Sequence, residues 1–252
     1  MGLIDSVLPE IKTNIRINQS NREYSKIKDA ANVLNIAYLK QASIEMKYYL
    51  ARNPKQRIPS KFSHLMGIYN KLIREHQILF LMLNIFETAL RSKAAIRISD
   101  TYSSGQDNWW KDISRLDKDL LDPVNKAVSQ LHQSNIDLTT VTTFDLFDTL
   151  TLGQLENIYK NKWSLFHGLF AGKTYRTYRL SQITKANFMQ KMKYIRKARN
   201  DVAHHKPIDY TRRPRRELIH DMEVILRHLN YNVEDAVNGI DPRHAIIHLR
   251  YL

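Results

Sequence analysis

The chain has 252 residues, 43% of them hydrophobic, which is enough to bury a substantial core and argues against disorder. It carries 39 lysines and arginines against 25 aspartates and glutamates, and a formal net charge of +14 attracts a polyanion over long range, RNA or DNA above all. Cysteine is absent, which excludes disulfides and cysteine-ligated zinc.

Seven glycines and seven prolines punctuate the chain, few enough to favour long helices over short strands and turns. The first twenty residues read as irregular and polar (Lys12, Asn14, Arg16, Asn18), a candidate mobile arm. A helical stretch is expected from about Glu23 to Leu50, with Ile27, Ala30, Ala31, Leu34, Ala37 and Tyr38 spaced by three and four. Asn53-Pro54 and Ile58-Pro59 break it. A longer helix follows from about Phe62 to Thr101. Its middle is apolar nearly all round, which predicts a central buried helix. The run Ile78 to Phe86 is interrupted by Asn84 and flanked by Arg74, Glu75 and Glu87, far short of the roughly 20 apolar residues that span a bilayer. No basic start followed by an apolar block marks a signal peptide. The expectation is a soluble, cytoplasmic protein without membrane contact. Met1-Gly2 with Ser6 fits the myristoylation pattern, which is short and matches often by chance.

Within the long helix Glu87 and Arg91 stand four apart on one face, beside an apolar run where charges need partners. Ser103-Ser104-Gly105 ends that helix, and Trp109-Trp110 is expected to pack the next loop onto the body. Helices are expected near Lys118 to His132 and Phe144 to Asn161. Trp163 to Phe170 reads as aromatic core, with Gly172-Lys173 as a turn. A helix from Thr184 to His205 is closed by Pro207. A basic cluster of Arg212, Arg213, Arg215 and Arg216 surrounds Pro214 and leads into a helix to Leu229, then a short segment near Arg243 to Leu252.

The helix from Thr184 carries the chemistry. At about 100° per residue, Phe188, Met192, Ile195 and Val202 form an apolar stripe with Arg199 inside it, while Asn200 and His204 share a second face. Such an arginine either lays its stem along the core or is held at a groove or interface. A guanidinium, an amide and an imidazole thus meet near one helix end. These groups suit RNA strand cleavage, in which the 2′-hydroxyl loses a proton and the 5′ leaving oxygen gains one. Histidine serves as acid or base near neutral pH. Arginine holds a phosphate with two parallel hydrogen bonds and stabilises the phosphorane. The route needs no metal or cofactor. A structural arginine and histidine at a helix end would show the same spacing. One helix offers one such set, so a two-fold homodimer would supply separate acid and base.

Arg199-Asn200-Asp201-Val202-Ala203-His204-His205 with Pro207-Ile208 resembles the C-terminal motif of the Abi-like (abortive infection) proteins of the HEPN superfamily. Phe86-Glu87-Thr88-Ala89-Leu90-Arg91-Ser92 resembles that family's central helix, and Thr151-Leu152-Gly153-Gln154-Leu155 its Gly-Leu-containing helix start. The resemblance covers roughly Phe62 to Ile208. It implies an all-α bundle of HEPN type with N-terminal and C-terminal helical extensions, partitioned as 1–60, a core of 61–210, and 211–252. It also implies a homodimer cleaving RNA without metal, in phage defence or as a toxin, with a possible antitoxin or small-RNA partner. By motif position Arg199, Asn200 and His204 are the catalytic candidates. Glu87 and Arg91 are candidates to line the groove. His205 points away from His204 on an unbroken helix and is the working imidazole if the helix end unwinds. Lys206, Arg212, Arg213, Arg215 and Arg216 are candidate RNA contacts. Some superfamily members only bind RNA, which is the alternative reading. His244 and His248 stand four apart, but no third ligand completes a metal site.

Overall fold

The computed structural model describes residues 4–18, 20–103, 107, 109–112, 114, 116–208 and 215–233. The fold is all-α: 71% of it is helix, and the only sheet among the described residues is one two-stranded hairpin. Two compact units divide the chain, 1–81 with 198–209 and 82–197 with 210–252, a division that falls inside two helices.

In the first unit α1 (Leu8–Ile15) packs on α3 (Ile36–Arg52), with α2 (Arg22–Val33) between them in sequence. The opening residues are therefore not the irregular arm expected. Leu8, Ile11 and Ile15 recur at helical spacing and are buried, while the polar residues that masked them face outward. Asn14 is the exception. Buried, it donates to the Ser43 hydroxyl at 3.0 Å. The single helix expected over Glu23 to Leu50 is two. Asn35 stands between them in extended conformation, and its side-chain oxygen accepts from the N–H groups of Ala37 and Tyr38, capping α3. Ile27, Leu39, Ala42, Met46 and Leu65 complete this core.

The 43-residue α4 (Lys61–Ser103) covers the long helix that the spacing predicts. It is not buried all round. Leu79, Met82, Leu83 and Phe86 are buried, whereas Ile78, Phe80 and Leu81 are exposed, because a helix packs one face unless neighbours surround it. Among the described residues no helix is long and apolar enough to cross a membrane.

The second unit holds α5 (Lys118–Gln133), α6 (Thr143–Asp148), α7 (Leu152–Asn161), α8 (Trp163–Phe166), a 3₁₀ turn (His167–Phe170), β1 (Lys173–Tyr175), β2 (Tyr178–Leu180) and α10 (Arg215–His228). The helix expected over Phe144 to Asn161 is two: a capping box of Thr142 with Asp145 starts α6, and a second, Thr151 with Gln154, starts α7 anew. Tyr159 lies 4.2 Å from Phe166 and 5.3 Å from Phe188, ring to ring, and Trp163 stacks on Phe170. Trp109 and Trp110 are buried, as their expected packing role requires. Lys173 does not lie in a turn but opens β1. The chain reverses after Tyr175, with Arg176 at φ 53°.

Candidate active site

The last helix of the motif is α9 (Lys185–Ala203), whose residues from Ala198 onward belong to the first unit. Phe188, Met192, Ile195 and Val202 are buried, the stripe that the angular spacing predicts. Arg199 sits within it, half-buried, and Asn200 and His204 are both exposed.

The helix ends in a way the unbroken spacing did not anticipate. His205 adopts the left-handed conformation at φ 50°. Its N–H donates to the Val202 carbonyl at 3.0 Å, and the Lys206 N–H donates to the Asp201 carbonyl at 2.8 Å. These are the two bonds of a Schellman ending, in which glycine is the usual left-handed residue. A non-glycine residue costs of order 1–2 kcal/mol there. Two groups from the α3 start hold the turn. Asn35 Nδ2 donates to the His205 carbonyl at 3.2 Å, and the Tyr38 hydroxyl donates to the Lys206 carbonyl at 3.1 Å. The Asn35 side chain therefore caps α3 with its oxygen and pins the α9 ending with its nitrogen.

This turn brings His205 against a residue that the sequence reading missed. His76, half-buried on α4, places its ring 5.3 Å from the His205 ring at an interplanar angle of 32°. Its Nδ1 lies 2.6 Å from the Tyr38 hydroxyl. A hydroxyl has one hydrogen. It can go to the Lys206 carbonyl when His76 Nδ1 is protonated and donates to the Tyr38 oxygen, or to Nδ1 when that nitrogen is bare. In the first arrangement Nε2 carries the lone pair; in the second it carries the hydrogen. Burial holds the His76 imidazole below the usual histidine range, and positive charge on His205 adds to the effect. The signal in the sequence is His76's place between Leu72 and Leu79, four and three residues away on the buried face of α4. Among the described residues the His204 ring makes no comparable contact.

Lys206 is exposed beside this turn. Arg215 opens α10 and Arg216 is exposed on it, in the second unit. Arg212 and Arg213, and the His244/His248 pair, lie outside the described residues. Glu87 and Arg91 also belong to the second unit. Glu87 is buried, Arg91 Nη2 meets its Oε1 at 2.6 Å, and the same nitrogen donates to the Leu150 carbonyl at 2.9 Å just before α7. Arg196, on the part of α9 in that unit, meets Glu156 of α7 at 2.6 Å. Among the described residues no three His, Cys, Asp or Glu side chains gather to hold a metal ion.

Arg199, Asn200, His204, His205 and His76 all belong to the first unit, and of these side chains His76 and His205 are the two brought into ring contact. No family model, curated protein or solved structure matches the chain.

Proposed function

We propose that this protein is a metal-independent endoribonuclease of HEPN type, cleaving RNA by attack of a 2′-hydroxyl on the adjacent phosphorus. The observation that supports it most is the α9 ending, where Arg199 and Asn200 stand four to six residues before two histidines and His205 is in a conformation that favours glycine. Arg199 would clamp the phosphate and stabilise the phosphorane, Asn200 would help position it, and His204 or His205 would move protons. Lys206 would draw the strand in, in keeping with the charge of +14. The resemblance adds homodimerisation, a role in phage defence or as a toxin, and an antitoxin or small RNA as regulator.

The same charge would serve a protein that binds RNA without cutting it, and the exposed, unpositioned ring of His204 favours that second reading. An RNA cleavage assay in excess EDTA separates them. The nuclease reading expects wild type to cut, and Arg199→Ala and the His204→Ala/His205→Ala double variant to lose at least about 10²-fold. Salt-sensitive binding without cleavage selects the second reading.

A further inference from the structure

We propose that His76 is the second imidazole of this active site, taking the 2′-hydroxyl proton at Nε2 while His205 protonates the leaving 5′-oxygen. This rests on the ribonuclease reading and assigns to a single chain the acid and base that the sequence spacing required two chains to supply.

Three observations carry it. The rings of His76 and His205 are 5.3 Å apart, close enough for one phosphodiester to touch both. The Tyr38 hydroxyl meets His76 Nδ1 and the Lys206 carbonyl, and both contacts are satisfied together when Nδ1 is protonated, the tautomer that leaves Nε2 as base. The left-handed turn that carries His205 is held from α3 by Asn35 and Tyr38, so the element that orients the base also positions the acid. The titratable groups packed on His76 are Tyr38 from α3 and His205 from the turn after α9, with Arg74 and Glu75 its neighbours on α4. Burial, and then charge on His205, disfavour the protonated form of His76.

The step balances. His76 Nε2 accepts the 2′-hydroxyl hydrogen as that oxygen bonds to phosphorus. The bond from phosphorus to the 5′-oxygen breaks, and protonated His205 gives its hydrogen to that oxygen. The products are a 2′,3′-cyclic phosphate and a 5′-hydroxyl. Tyr38 is a positioning residue.

The test is kcat/KM for a fluorescent RNA in EDTA from pH 4.5 to 9, on the full chain and on His76→Gln, with thermal melts of each. The proposal expects a bell-shaped profile for wild type. In folded His76→Gln the acid limb disappears and the rate falls about 10²- to 10⁴-fold. If that variant does not fold, Tyr38→Phe decides. Removing the acceptor at Nδ1 destabilises the protonated ring and moves the acid limb to lower pH. A His76→Gln profile with both limbs intact overturns the role, as does an unmoved limb in Tyr38→Phe. Wild type that cuts while these variants keep the wild-type profile refutes His76 alone. Wild type that never cuts refutes the ribonuclease reading, and this role with it.

Discussion

His205→Gly should separate stability from activity. In the native turn His205 carries the cost of a left-handed β-carbon, of order 1–2 kcal/mol, which glycine relieves. Against that, glycine widens the unfolded ensemble by about 0.4–1 kcal/mol. The tilted ring contact with His76 is also lost; aromatic pairs contribute about 0.5–1.5 kcal/mol, and at this exposed residue the low end applies. The balance lies within about 1 kcal/mol of zero, or roughly 2–4 °C in Tm for a chain of this length. RNA cleavage should nonetheless fall at least about 10²-fold, because the acid is gone. The assay must read the first unit. All three tryptophans, Trp109, Trp110 and Trp163, lie in the second, so the first unit is read as the part of the far-UV circular dichroism change that tryptophan emission does not follow. A loss of more than about 2 kcal/mol would refute the reasoning, since it would make the ring a packing element and its conformation unstrained.

Asn35 offers a second separation. Asn35→Ala removes the α3 cap and should cost about 1–2 kcal/mol in denaturant titration. Asn35→Asp keeps the capping oxygen but loses the donor to the His205 carbonyl, so it should stay near wild-type stability and cut RNA more slowly. Equal activity in Asn35→Asp would show that the turn needs no pin. Arg91→Ala withdraws the guanidinium from buried Glu87 and should destabilise the second unit by about 3 kcal/mol, read by tryptophan emission; Glu87→Gln should cost less than Arg91→Ala, and the reverse order would contradict a buried-charge origin. The neutral histidines set a pH dependence. His76 and His228 are both held below the usual range by burial, so the unfolded chain binds protons more readily. Their contribution to stability is full above the unfolded pKa, about 6.5, and is lost as pH falls through the lower folded values. Melting temperatures should be level from pH 8 to 7 and drop below pH 6.5, and the drop in the first unit should shrink in His76→Gln. A Tm that rises on acidification would contradict this sign.

The sequence showed the all-α class and the full lengths of α4 and α9, because helical spacing persists there over many turns. It concealed α1, whose apolar residues are separated by Lys12, Thr13 and Asn14, and the last of these is itself buried against Ser43. The break at Asn35 was invisible because apolar residues continue in helical register across it, while the capping depends on backbone geometry. The β1–β2 hairpin is three residues a side, too short for an alternating pattern. At the site, the angular reading placed Arg199 in the stripe and Asn200 with His204 on an exposed face. It left open that an unwound helix end would re-aim His205, and the left-handed conformation of that residue is such an ending. It could not foresee His76 and Tyr38, which reach that turn only through the tertiary packing of α3 and α4. The division of the chain inside α4 and α9 was equally hidden, since helical spacing runs through both without a break.

The most direct test of the account uses one RNA oligonucleotide in excess EDTA, with and without a 2′-deoxy substitution at its mapped cleavage nucleotide. The account predicts that the unmodified strand is cut to a 2′,3′-cyclic phosphate and a 5′-hydroxyl, and that the single 2′-deoxy residue abolishes cutting at that bond. Cleavage that persists at the 2′-deoxy nucleotide, or that leaves a 5′-phosphate, would contradict it.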